Sequence, residues 1–414
     1  MIICCLLLLP AVLFVSCSRD TEDDSVPSAG EMTLGIGFKI PARAVVDGYE
    51  EGEVYENYID AANGNYRIYF FDAKNKLIAR FDPEAFILMA EDDKYVEYSV
   101  LGEVPEALAE HSDFFKMVVL ANWPQYNDAV EEDVTTIADL CDAAWAQYDC
   151  LTDGKTNPTA IALNPFAADP SERKLMPFYG VHEYSNVTFK PGVATILDEP
   201  VTLLRAMAKV EVILETDDYF DLSFSSLKIN RYNAKGYCAP KDVFTQGDYD
   251  HDEGENEDDK WKQDYVHTLH LVGDANDEGE KELALRLVRR WDENGKRYEK
   301  WTAYLPEYRN IDAGNAYSSI KAKFNIQLAD DTPHTIYFAN YSGGKTDNSN
   351  GSLLNIERNN IYRFKVTCTG YNFKLRLTVS DWEGLYENNF EYGDGQFTSP
   401  PAPWDDEINN EIEF

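Results

Sequence analysis

The chain has 414 residues, and 74 Asp and Glu against 37 Lys and Arg leave a formal net charge of −37. So acidic a polymer repels phosphate backbones, which excludes nucleic-acid binding as a function. Hydrophobic residues make up 44% of the chain, with 26 Tyr and 21 Phe, enough to build real cores and to exclude whole-chain disorder. At a prior of roughly 150 residues per domain, the length suggests two or three domains. Six His and 7 Cys argue against a metal-rich or disulfide-framework protein.

The chain opens on a leader. Residues 2–15 are an uncharged run of 14, too short for a spanning helix and right for a signal-peptide core. The run ends in Phe14-Val15-Ser16-Cys17, and polar text begins at Ser18. Small residues before a Cys at that point look like a bacterial lipobox, in which the Cys is acylated and becomes the new N-terminus. The alternative is an ordinary secretory signal with a chance Cys. Several acyl chains on Cys17 would anchor stably, each buried CH2 contributing about 0.8 kcal/mol. A lipoprotein precursor is the expectation, with residues 1–16 as its signal peptide.

Residues 20–30 (DTEDDSVPSAG) form a polar, acidic linker without periodicity. The text then turns to period 2, the mark of half-buried strands. Met32, Leu34, Ile36, Phe38 and Ile40 alternate with Thr33, Gly35, Gly37 and Lys39. The same alternation recurs over residues 320–328, 362–368 and 371–379. Between residues 283–291 and 298–304, Asn294-Gly295 is a strong type I′ hairpin signal. Helical text is scarce, the best stretch being residues 135–147 with Ile137, Leu140 and Ala144 at helical spacing. Short alternating strands without intervening helices predict an all-β chain of antiparallel β-sandwiches. A boundary is expected near Pro200 to Arg205, where one module closes and the strand over residues 206–214 opens another. No internal repeat of the length a solenoid needs is visible.

Motifs that carry chemistry are few. Ser342-Gly343-Gly344-Lys345-Thr346 ends like a phosphate loop, but Ala339 stands where the earlier glycine belongs, and no helix pattern follows. His267 and His270 are three apart in a strand-like run, hence on opposite faces. Cys141, Cys150, Cys238 and Cys368 read as buried thiols. Asp248, Asp250 and Asp252 alternate as in a calcium loop, yet the turn glycine, Gly254, falls one place late and Asp259 stands at position twelve. A solvated loop is the competing reading of that run. No pattern nominates an enzyme, a resident metal or a cofactor.

Scattered over nearly the whole chain are fragments that together resemble the fimbrillin family of Bacteroidales, the subunits of type V pili. They are the lipobox, MTLGIGFKIPAR followed by Ala44, YRIYFFDAKNKLI, KMVVLANWP, LMPFYG, LLRAMAKVEV, TAYLPEY, LLNIERNNIYRFKVTCTG and LTVSDWE. Each fragment is weak alone; their order and spacing carry the resemblance. It implies two transthyretin-like antiparallel β-sandwich domains in tandem, over residues 44–204 and 205–398. It also implies export to the cell surface as an outer-membrane lipoprotein, followed by polymerisation with other pilin subunits, in a homopolymer or a mixed fibre, and adhesion to host or bacterial surface ligands. In such pilins an arginine-specific protease cuts after an Arg that follows the first strand, and a neighbour's strand fills the groove left behind.

On that resemblance the cut falls between Arg43 and Ala44, and residues 17–43 hold the acidic linker and the removable strand, with Met32, Leu34, Ile36, Phe38 and Ile40 facing the core. Gly35 and Gly37 weaken that strand on its outer face, as suits a segment meant to leave. Cleavage would remove 3 basic and 5 acidic residues, leaving 34 − 69 = −35. Beyond Asp381-Trp382 the chain continues, and Ser399-Pro400-Pro401-Ala402-Pro403 is a stiff spacer. Within the terminal segment 399–414, Ile408, Ile412 and Phe414 lie on the apolar side of a short alternating strand, with Asn410 as a blemish. That strand is the donor candidate, Phe390 and Tyr392 being the reserve, and a tail folded back on its own domain is the alternative. Three other roles stay open: an anchor that keeps its first strand and lipid, a tip adhesin, and a non-polymerising surface lipoprotein that binds glycan or protein.

Overall fold

The computed structural model describes residues 32–41, 54–61, 64–91, 95–122, 147–149, 175–217, 222–232, 235–237, 282–308, 310, 318–325, 334–338, 353–369, 372–381 and 412–413. The chain is all-β. The first group of strands is β1 (Thr33–Pro41), β2 (Tyr66–Phe71), β3 (Leu77–Phe81), β4 (Ala85–Glu91), β5 (Tyr95–Glu103), β6 (Phe114–Ala121), β7 (Gln147–Asp149), β8 (Phe178–Ser185), β9 (Ala194–Ile196) and β10 (Val201–Arg205). The second is β11 (Ala208–Asp217), β12 (Phe224–Asn230), β13 (Lys235–Tyr237), β14 (Leu283–Ala284), β15 (Arg286–Glu293), β16 (Lys296–Leu305), β17 (Ser319–Phe324), β18 (His334–Tyr337), β19 (Asn360–Thr369), β20 (Asn372–Asp381) and β21 (Ile412–Glu413). One turn of helix, α1 (Glu106–Ala109), and a 3-10 turn over Val54–Asn57 complete the described elements.

Alternation became burial where it was legible. Along β19, Tyr362, Phe364, Val366 and Cys368 are buried while Arg363, Lys365 and Thr367 are half-exposed. The hairpin expected at Asn294-Gly295 joins β15 to β16, both turn residues lying at positive φ (50° and 72°). That is the conformation a type I′ turn requires and that Asn and Gly tolerate best. Among the described residues, three pairings depart from the antiparallel arrangement expected. β11 runs parallel to β19, and β1 runs parallel to both β9 and β10. Period-2 patterning tells which side chains face inward; it carries nothing about which way a neighbouring strand runs.

Strands of the first group other than β7 make a nine-stranded sheet in the order β3-β2-β6-β8-β10-β1-β5-β4, with β9 also paired to β1, while β7 pairs with β13 of the second group. Its inner face is aromatic. Phe70 packs edge-on against Phe115 and Phe81 at 5.4 and 6.0 Å between ring centres, and Phe86 bridges Phe38 and Tyr98 at 5.9 and 5.3 Å. The second group forms a six-stranded sheet, β15-β16-β11-β19-β20-β21, and a four-stranded sheet, β14-β12-β17-β18. β10 closes the nine-stranded sheet at Arg205 and β11 opens the six-stranded one at Ala208.

Polar ties cross that junction. Arg205 has no solvent exposure; its Nε donates to the Glu56 carbonyl at 3.1 Å, and its other nitrogens reach the Asn57 and Asn359 side-chain oxygens. The Arg205 guanidinium also lies 5.7 Å above the Phe178 ring. Lys209 pairs with Glu56 at 2.5 Å, and the Tyr304 hydroxyl donates to the same carboxylate at 2.7 Å. One β11 face is a buried ionic lattice. Burial alone would raise the Glu211 carboxyl, but Lys209, Arg363 and Lys300 around it hold it well below the usual carboxylate range.

Candidate functional site

The strand singled out in the sequence lies inside the nine-stranded sheet. β1 pairs with β5 along its whole length, from Thr33 opposite Glu103 to Pro41 opposite Tyr95. Leu34, Ile36, Phe38 and Ile40 point into the core with 0–1% exposure. Met32 lies just before the strand, half-buried against the same core, and its carbonyl accepts from the Val104 amide at 3.0 Å. Full burial of four such side chains amounts to about 6–12 kcal/mol of apolar stabilisation, an upper estimate because unfolded chains already bury some surface.

The other edge of β1 is covered by an interrupted strand. β9 pairs with it at Thr33, Leu34 and Gly35, and β10 pairs at Phe38 and Lys39. Between those stretches β1 has two residues, Ile36 and Gly37, where its neighbour has four, residues 197–200. The surplus arches over the outer face of β1. Its entry is fixed by the Leu197 amide, which donates to the Gly35 carbonyl at 3.0 Å. Its far side is fixed by the Tyr184 hydroxyl on β8, which donates to the Glu199 carbonyl at 2.7 Å.

This arch changes the reading of the two glycines. A Cβ on Gly35 would overlap Cδ1 of Ile196 and stand 3.0 Å from Cδ2 of Leu101. One on Gly37 would stand 3.1 Å from Cβ of Pro200. Both glycines are places where neighbouring strands close over β1. Expected only to loosen the strand, they also make room for its cover.

Without β1, the facing edges of β5 and β10 would lose their ladder partners, and a slot lined by core side chains would open between them. Sheet edges of that kind are templates for another strand. Pro41 is the last residue of β1. Arg43, Ala44 and Cys17 lie outside the described residues.

At the C-terminus, Ile412 and Glu413 form β21 and pair antiparallel with Leu375 and Lys374 of β20. Ile408, Asn410, Phe414, Phe390 and Tyr392 lie outside the described residues, as do Asp248, Asp250, Asp252, His267, His270, Cys141, Cys150, Cys238 and residues 342–346. Of the expected helix at 135–147, only Gln147 is described, as the first residue of β7. Cys368 is a buried free thiol on β19, as its place in the alternation implies. Among the described residues no cluster of three metal-ligating side chains occurs.

Sequence reasoning missed the broken β9–β10 cover and the Glu56 tie. A signal for the first existed: Ile196 and Val201 flank the polar break Asp198-Glu199-Pro200, a strand interrupted by a Pro-containing turn.

No protein-family model matches the sequence, and no curated protein matches it. Solved structures do. The chain is similar to the tip fimbrial protein Mfa3 from Porphyromonas gingivalis with C-terminal truncation, at 13% identity and a TM-score of 0.45, over 84% of this chain and 100% of that one. It is also similar to a fimbrial assembly protein from Parabacteroides distasonis, at 13% identity and a TM-score of 0.41, over 84% of this chain and 97% of that one.

Proposed function

We propose that this chain is a structural subunit of a cell-surface fimbria that polymerises by strand exchange. In this reading it has two β-sandwich domains, is exported as a lipoprotein acylated at Cys17, and is cut between Arg43 and Ala44 by an arginine-specific protease. Cutting frees β1, and a strand from another pilin subunit takes its place. The assembled subunit has no catalytic role.

One observation carries the reading: β1 is an N-terminal strand held between β5 and β10, with four side chains in the core and Arg43 two residues past its end. A buried central strand would ordinarily be the last part of a sheet to leave. Here a single cut on its C-terminal side turns it into a separate peptide held by noncovalent contacts alone. The slot it vacates pairs backbone on both sides and buries alternate side chains, so a replacement strand would be driven in strongly. The order of family-like fragments along the sequence supports the same reading.

Intact mass of the protein taken from the cell surface tests it. A polypeptide starting at Ala44 inside isolated fibres is expected. An acylated Cys17 start in every fibre-associated molecule, with β1 still attached, would overturn processing and leave an anchor or a plain surface lipoprotein.

A further inference from the structure

We propose that the β1 slot selects a strand with glycine at two alternating outward positions, so that its occupant comes from a different subunit and not from this chain's own C-terminal segment. The proposal rests on reading the slot as a site of strand exchange.

Most edge slots read a strand on one face only. Inward positions choose side chains, and outward positions face water and accept nearly anything. This slot has a second wall. Opposite Gly35 the register places Ile196 on one side and Leu101 on the other, and both side chains lean over the glycine. The end of Ile196 is exposed and free to swing, so a small side chain at that position could be admitted. Pro200 has no such freedom. Its ring is rigid, it sits 3.1 Å from where a Cβ on residue 37 would stand, and the arch behind it is held through Tyr184 and Glu199. A larger side chain at the second position has to displace that ring against an arch held to β8.

The segment 408–414 (INNEIEF) meets neither wall. It contains no glycine, so no frame and no direction of insertion leaves the outward positions bare. With Ile408, Ile412 and Phe414 inward, Asn410 also enters the core, where its amide would lose water without a partner. The other frame sends Asn409, Glu411 and Glu413 into a slot whose present occupants have almost no exposure. Gly393 and Gly395 do have the spacing of Gly35 and Gly37. Matching them puts Asp394 at the place of Ile36 and Gln396 at that of Phe38, a buried carboxylate that excludes this stretch as well. The fitting partner is a strand of the form large-Gly-large-Gly-large, which this chain supplies only as β1 itself.

The test uses the full chain with a site-specific protease sequence inserted after Arg43, nicked to completion. Labelled peptides then compete with the retained β1, with fluorescence anisotropy as the readout. Four probes are added: residues 32–41, the same peptide with Gly35→Val, the same with Gly37→Val, and residues 408–414. The unaltered 32–41 peptide is expected to exchange. Gly37→Val should bind more weakly by roughly tenfold or more, Gly35→Val by less, and the 408–414 peptide should not displace β1. Valine favours strands more than glycine does, so weaker binding reports the wall and not propensity. If Gly37→Val or the 408–414 peptide enters as readily as the parent, the glycine requirement is wrong while strand exchange stands. If even the unaltered peptide fails to enter, the slot does not exchange strands, and that reading falls with the proposal built on it.

Discussion

The ammonium of Lys209 lies 2.5 Å from the Glu56 carboxylate, and neither side chain has more than 3% exposure. Glu56 belongs to the turn before β2, whereas Lys209 begins the strand that leads the six-stranded sheet. The pair therefore joins two parts of the chain that share no sheet. Removing one partner from a buried pair leaves a charge without its counterion, which costs more than the pair itself is worth. Lys209 keeps Glu211 at 3.0 Å, so the loss is partly offset. Glu56→Ala is expected to lower unfolding free energy by about 2–4 kcal/mol. Tyr304→Phe, which removes only a hydroxyl donor to the same carboxylate, should cost about 1 kcal/mol. Urea denaturation of both variants checks this; a Glu56→Ala loss no larger than that of Tyr304→Phe would show that the pair contributes little.

Within β1, burial separates neighbours by one residue. Phe38 has no exposure and touches Phe86, while Lys39 next to it is half-exposed on the outer face. In the uncut chain, Phe38→Ala should destabilise by about 3–5 kcal/mol through lost burial and the cavity left behind. Lys39→Ala should change stability by no more than about 0.5 kcal/mol. Thermal melting of the two variants distinguishes them. Equal, small effects would mean that β1 is not seated in the core as described.

What could be read in the sequence was set by period. Leu34, Ile36, Phe38 and Ile40 announce their burial by alternating with small and polar residues, and Asn294-Gly295 announces a turn through the only dihedrals that suit it. The faces of β11 did not announce themselves. Lys209, Glu211 and Glu215 alternate with Val210, Val212 and Leu214 and so resemble a wet face, yet all three are buried. Arg363 and Lys365 from β19 and Lys296 and Lys300 from β16 lie across them, on strands more than eighty residues away in sequence. No local pattern encodes a cover brought by distant strands. The same holds for the slot: its inner wall was legible because it is β1's own alternation, and its outer wall was not, because Pro200 and Ile196 arrive from another part of the chain.

The C-terminal pair sits where it can be spared. Among the described residues, β20 keeps β19 along all ten of its positions, while β21 adds two residues to its other edge. Deleting residues 408–414 should therefore cost no more than about 1 kcal/mol, or a melting shift of roughly 2–4 °C. In the fimbrial reading, the truncated chain is still cut at Arg43 but cannot donate this segment to a subunit of another kind. A melting loss well beyond that range would show the segment to be a built-in part of the sheet, and fibres of normal length from the truncation would remove it as a donor.

Two carboxylates give opposite pH signatures. Burial first, and the nearby Glu307 second, push the Glu357 carboxyl up to about 7. Glu307 is gripped by Arg358 through two bonds of 2.6 and 2.8 Å, so its negative charge stays beside Glu357. A carboxyl whose folded pKa is raised adds stability below its unfolded value of about 4.3, and that contribution is lost as pH climbs through 7. Above pH 7 the fold must hold Glu357 ionised against its surroundings. Glu357→Gln keeps an acceptor for the Asn360 amide, which now donates to the carboxylate at 3.3 Å, and removes the charge. It should therefore raise stability at pH 8 by about 1–3 kcal/mol and leave it nearly unchanged at pH 4, below the unfolded value. Glu211 runs the other way. Held low by Lys209, Arg363 and Lys300, it contributes above the unfolded value and loses that contribution as pH falls through its depressed folded pKa. Melting temperatures of the parent and of Glu357→Gln, taken from pH 4 to 9, should coincide near pH 4, separate between about pH 4.3 and 7, and differ by a constant amount above that. Curves that stay parallel over that whole range would show that Glu357 does not titrate in the folded chain.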